Sequence, residues 1–145
     1  MTMSILEQVQ ADTRQAMRAR ERERVGALRM IASALQDDAK LGKNDEVAVL
    51  QRERKKRLEA AEAFRKGGSE ERAGTEESEA RLIERYLPQQ LSDEELADVV
   101  NAGIEEAGAS EPADMGKVMS VVMPRVSGRA DGRRVSDAVK DRLSA

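Results

Sequence analysis

Apolar residues along this chain recur at intervals of three and four, the spacing of helices with one buried face. Ser4 and Glu7 form a capping box, and Ile5, Leu6, Val9, Thr13, Ala16 and Met17 then mark one face of a first helix, predicted to run to about Ala19. The Arg20–Arg24 stretch alternates arginine with glutamate and reads as a solvated turn or helix edge. Val25, Leu28, Ile31, Ala32, Leu35 and Ala39 predict a second helix, with Gly42 as its stop; the short connection favours an antiparallel hairpin. Asn44 or Asp45 starts a third helix on Val47, Leu50, Leu58, Ala61 and Phe64, interrupted by the polar run QRERKKR from Gln51 to Arg57. Arg54 lies four residues from both Leu50 and Leu58, on the face to be buried. Its stem is expected along the core, with the guanidinium reaching an acid or water. Gly67 and Gly68 end this helix. A fourth runs from Ser69 to Tyr86 along Ala73, Ala80, Ile83 and Leu87, its first turns polar enough to fray.

Leu87–Pro88 breaks the pattern, because the residue before proline is driven out of helical geometry, and a boundary is expected there between domains 1–87 and 88–145. Beyond it Ser92 and Glu95 form a second capping box, Leu91 and Leu96 are placed for a hydrophobic staple, and Leu96, Val99, Val100, Gly103, Ile104 and Ala107 carry a stripe that Gly108 ends. The next stripe, Met115, Val118, Met119, Val122 and Val126, predicts a helix capped by Asp114 and running to about Met123, with Pro124 bending or ending its last turn. Gly128 suits a left-handed residue and Asp131 can cap a final helix on Val135, Ala138, Val139 and Leu143. The fold class is therefore all-α: N-terminal helical hairpins followed by a small C-terminal three-helix bundle. A piece from Ser92 onward is near the lower size limit for an independent core, and is expected to lean on Tyr86 and Leu87 for cover.

Composition agrees. Charged residues are 37% of the 145 and aromatics 1%, only Phe64 and Tyr86, so the core must be aliphatic. The net charge of −3 argues against a general affinity of the whole surface for nucleic acid, but its distribution is uneven. Residues 87–114 hold eight acids and no Lys or Arg, whereas 115–145 hold seven bases against Asp131, Asp137 and Asp141. Cysteine is absent, which excludes a disulfide framework, and so is histidine, which removes the usual nucleophile systems and the commonest metal ligand. No Walker loop, dinucleotide fingerprint or nucleophile elbow appears, and the paired carboxylates sit in solvated helical patterns. No catalytic residue, metal ligand or cofactor is predicted. No apolar run reaches a membrane span, and without a basic segment leading into an apolar one at the start, a cytoplasmic place is expected.

One stretch remains as a candidate site: Asp114 to Arg134, DMGKVMSVVMPRVSGRADGRR, where two helices meet at a glycine-bracketed turn carrying Arg129, with Arg133 and Arg134 just beyond. A glycine-rich turn opening a helix gathers unpaired N–H groups, and three guanidiniums would complete a seat for phosphate. An ordinary helix–turn–helix joint with solvated arginines accounts for the same residues. Lacking aromatics, such a site could meet RNA only through phosphate, sugar and shape. A second basic run, Arg52, Lys55, Lys56 and Arg57, could contact RNA or form an exposed helical face interleaved with glutamates.

DMGKVM, followed by MPRVSGRADGRRV and preceded by YLPQQLSDEEL, resembles the signature of the GatB/YqeY family, together with LRMI in the second helix and LQRE near residue 50. That family includes small stand-alone proteins and the tail of the B subunit of glutamine-dependent aminoacyl-tRNA amidotransferase, which touches tRNA; this chain is similar to the stand-alone kind. The resemblance implies that Lys117, Arg125, Arg129 and Arg133 match basic positions at or near tRNA, with Arg134 an additional base. It implies tRNA as a partner, with amidotransferase subunits a further possibility, and no DNA. It also implies a link to amidation whose catalytic core, a carbon–nitrogen ligase with glutamine as amido donor, belongs to other subunits. The alternative is an interaction protein whose acidic face from Asp93 to Asp114 docks a basic partner, with no role for RNA.

Overall fold

The computed structural model describes residues 3–144, which form seven α-helices, one 3₁₀ turn and no strand. Contacts divide the chain into two compact units at the Leu87–Pro88 bond.

The first unit is two helical hairpins. Helices α1 (Ile5–Arg18) and α2 (Arg22–Lys40) make one; α3 (Glu46–Lys66) and α4 (Glu70–Glu84) make the other. Their shared core is aliphatic, with Val9, Leu28, Leu50 and Ile83 fully or almost fully enclosed and Tyr86 and Leu87 closing it. Helix α2 starts at Arg22, three residues before the expected apolar stripe. A tight turn with Arg20 at φ 59° reverses the chain there, so Arg22–Arg24 belong to the helix. Met17 is half exposed, and Ala39 and Leu58 are exposed too, so the stripes are narrower than their spacing implies.

Beyond the shared core, α3 and α4 are held differently. Ala61 and Ala73 are buried between them, and flanking ion pairs supply what large side chains do not. Arg57, only 14% exposed, lies 3.1 Å from Glu79 and also faces Glu53 and Glu76; Arg65 donates to Glu70 and Glu77. Desolvation, with Glu76 beside it, raises the Glu79 carboxyl above its usual range against the pull of Arg57. Arg54 meets its expectation: half-buried, with Nε donating to Glu84 at 2.7 Å.

Three polar contacts were invisible in the spacing. Asp38, buried, accepts the Asp45 N–H at 3.1 Å and so fixes the α2–α3 turn. The Tyr86 hydroxyl donates to Asp12, and burial followed by this bond pushes its pKa up. Glu46, at the head of α3, accepts the N–H groups of Ile5 and Leu6 at 3.0 and 2.8 Å. Ser4 Oγ accepts the Glu7 N–H, so the orphan donors of the first turn of α1 are satisfied; the Ser4 hydroxyl also donates to the Glu7 carboxylate. Glu46→Ala should strip two charge-assisted caps from α1 and cost the first unit about 1–2 kcal/mol. Urea unfolding followed by circular dichroism checks this, with Glu46→Gln expected to recover part of the loss.

The second unit is a three-helix bundle of α5 (Asp93–Ala107), α6 (Met115–Val126) and α7 (Gly132–Leu143), with a 3₁₀ turn at Pro112–Asp114. Val100, Val118, Val122, Val126, Val135 and Val139 are fully buried and form its centre. The Ser92–Glu95 capping box is complete, Leu91 and Leu96 are both buried, and Gly108 ends α5 in the left-handed region at φ 65°. Two expectations fail. Helix α6 continues through Pro124 to Val126, because the buried stripe Val118–Val122–Val126 rewards another turn and the carbonyl that proline leaves free, at Ser120, is on an exposed residue. Asp114 does not cap α6 with its side chain; its carboxylate turns back to accept the N–H groups of Ser110 and Glu111 at 3.0 and 3.3 Å, which holds its pKa down. Tyr86 and Leu87 belong to the core of the first unit, and Leu91 belongs to that of the second.

Candidate nucleic-acid interface

The α6–α7 joint is built from two successive left-handed residues, Ser127 at φ 36° and Gly128 at φ 82°, after which Arg129 N–H bonds back to Val126. Residues 88–91 are strapped across this joint. Leu91 N–H donates to the Arg129 carbonyl at 2.8 Å, Gln90 Nε2 bridges the carbonyls of Pro88 and Gly128, and Arg129 Nε donates to the Gln89 carbonyl at 3.0 Å. Asp131 accepts the Arg134 N–H at 2.8 Å, so a carboxylate already stands at the head of α7. A phosphate there would face that charge, which moves the weight of the site from backbone N–H groups to side chains.

The five basic residues are placed unequally. Arg129 is in the joint itself, Arg133 and Arg134 are in the first turn of α7, and Arg125 is in the last turn of α6 leading into it. Lys117 is at the other end of α6, about 12 Å of helix rise before Arg125. Arg134 donates to Asp93 at 2.8 Å and Arg125 to Glu106, so the acidic helix α5 masks two of the bases. Arg133 and Lys117 are exposed and their side chains make no hydrogen bond or close ion pair among the described residues; the charge of Lys117 acts on Asp114. Asp93 is 98% exposed, so its pair with Arg134 is solvated and a stronger anion could exchange with it at little cost.

Spacing had passed over Lys140, exposed on α7 and seven residues after Arg133, which puts the two on one helical face with Asp137 between them. The i, i+7 relation was readable once α7 was known to start at Gly132. In the other basic run only Arg57 is enclosed by carboxylates; Lys56, 3.2 Å from Glu53, and Arg52, 3.8 Å from Asp38, are exposed.

Fold and site together define an all-helical protein with a strapped, arginine-bearing helix–turn–helix joint in its second unit. The family model described as Yqey-like protein matches residues 6–143, and the chain belongs to that family. No curated protein matches it. None of its described helices is long and apolar enough to cross a membrane.

Proposed function

We propose that this protein is a tRNA-binding accessory protein of the cytoplasm, using Arg125, Arg129, Arg133 and Arg134 around the α6–α7 joint, with Lys117 as an outlying contact. The observation that carries this reading is that three arginines stand within six residues at one joint, in a family related to the amidotransferase tail. Guanidiniums suit phosphate because their planar forks can bond two oxygens at once. The acidic neighbours keep the affinity modest: Asp93 and Glu106 must release Arg134 and Arg125 before either meets RNA. Within amidation such a chain would hold or deliver the aminoacyl-tRNA, while other subunits release ammonia and spend ATP; the purified chain alone should amidate nothing.

Fluorescence anisotropy with purified tRNA at rising salt tests the reading. About five phosphate contacts predict a slope of log affinity on log salt of roughly −4.5 on duplex. Lys117→Glu/Arg133→Glu is the informative variant, because neither side chain has a bonded partner to lose. It should weaken binding at least tenfold and flatten the slope by about two units. Asp93→Asn/Glu106→Gln frees two arginines and should tighten binding. Affinity indifferent to salt and to both variants would leave the reading without support.

A further inference from the structure

The first unit holds a basic crevice that the proposed function does not use. The side chains of Arg20, Arg22, Arg81 and Arg85 make no hydrogen bond or close ion pair among the described residues, and all four residues line one crevice of about 1470 Å³ between the start of α2 and α4. Five carboxylates are also on its walls and would cancel this charge if all were free. They are not: Glu84 is 2.7 Å from Arg54 and Glu79 is 3.1 Å from Arg57, which it shares with Glu53 and Glu76, both arginines being of α3, while Glu21 faces its own neighbour Arg24. Glu23 and Glu71 are left against the guanidiniums of Arg20, Arg22 and Arg85, with Arg81 drawn also to Glu77 on its own helix. Arg24 and Arg85 both act on the Tyr86 hydroxyl, so the start of α2 lies beside the end of α4, and the bases concentrate at that end.

The floor is low and apolar. Met30 is 49% exposed, Ala27 and Leu82 are half-buried, and a Cβ added to Gly26 or Gly74 would meet nothing within 4 Å. Along α4 the lining runs from Glu71 to Arg85, about 20 Å, the length of a helix of roughly four turns. An apolar floor between two helices with a cationic end matches an amphipathic helix bearing carboxylates on its flanks. RNA fits less well, because Met30 and Leu82 offer no plane for stacking and Glu23 and Glu71 would face its phosphates.

We propose that this crevice is a docking groove for an acidic amphipathic helix of a partner protein, seated on Ala27, Met30 and Leu82 and held by Arg20, Arg22, Arg81 and Arg85. It shares no residue with the α6–α7 joint, so either reading can fail alone. The test uses the full chain and a fluorescein-labelled helical peptide of about 16 residues, with leucines on one face and glutamates elsewhere. The same peptide with lysine for glutamate and a short single-stranded RNA complete the set. The acidic peptide should bind and the basic one should not. Gly74→Leu fills open floor in a helix that gains propensity, so it should weaken the acidic peptide at least tenfold with helicity retained. Arg81→Glu/Arg85→Glu should weaken it as much and admit the basic peptide. Failure of the acidic peptide to bind, or undiminished binding to Gly74→Leu, overturns the proposal. RNA binding that disappears in Arg81→Glu/Arg85→Glu while the peptide never binds would assign the crevice to phosphate and overturn it equally.

Discussion

Gly103→Leu should abolish the native bundle of the second unit while leaving the first unit's melting unchanged. Gly103 is buried in α5, and a Cβ placed on it would run into Cγ2 of Val122, with Val121 Cγ1 at 3.8 Å behind. Val122 is fully enclosed at the centre of the bundle and cannot turn aside without displacing its neighbours. Alanine alone gains about 1 kcal/mol of helix propensity but meets an overpacking cost of about 1–3 kcal/mol, so Gly103→Ala should be net destabilising. Leucine adds three more heavy atoms to the same contact, and a unit this small has only a few kcal/mol to lose. Gly116 is the control: in α6, exposed, with nothing near a Cβ, so Gly116→Ala should stabilise by about 0.5–1 kcal/mol. Val122→Ala in the Gly103→Ala background should recover part of the loss, because it opens space where the new methyl sits. Thermal melts by circular dichroism and native-state hydrogen exchange on α5 and α6 give the answer.

This glycine also marks where the sequence could and could not be read. Spacing places Gly103 on the buried stripe of α5 but supplies no reason for glycine there, and nothing in it sets Gly103 apart from Gly116 or Gly132. A Cβ on Gly116 would meet nothing within 4 Å, and one on Gly132 only the Met123 methyl at 4.0 Å. The difference depends on how near α6 comes to α5, a tertiary distance with no trace in one helix's own pattern. Local signals were legible: the Ser92–Glu95 box, Gly108, the Asp131 cap and the helical class all rest on neighbours within four residues. Contacts between distant segments were not, as with Glu46 on α1, Asp12 under Tyr86 and the strap of residues 88–91. The basic residues of the site were legible as a cluster in sequence. Their masking by Asp93 and Glu106 was not, because it depends on which face of α5 turns toward α6 and α7.

Cutting the chain at Leu87–Pro88 should leave most of the tRNA affinity with 88–145 and almost none with 1–87. Net charge points the other way, which makes the experiment decisive. Residues 1–87 carry 18 bases and 17 acids, net +1, whereas 88–145 carry seven bases and 11 acids, net −4. If the overall field governed binding, the first piece would be preferred. If phosphates are met by a local set of guanidiniums, the gathering of Arg129, Arg133 and Arg134 outweighs the sum, since exposed charges farther away than a Debye length of about 8 Å are screened at physiological salt. The cut must keep residues 88–91. A fragment beginning at Ser92 loses buried Leu91 and every bond across the joint, including the one that holds Arg129 to Gln89. That shorter fragment should be helical but less stable and should bind tRNA more weakly, a loss that follows from freeing Arg129 rather than from removing a base. Finding the affinity in 1–87 would transfer the RNA reading to that unit's arginines and overturn the assignment to the α6–α7 joint. The Arg52–Arg57 run could answer for it through the exposed side chains of Arg52, Lys55 and Lys56, with Arg57 held by Glu53, Glu76 and Glu79. Anisotropy titrations of the three pieces at matched salt, with circular dichroism to confirm that each is folded, separate these outcomes.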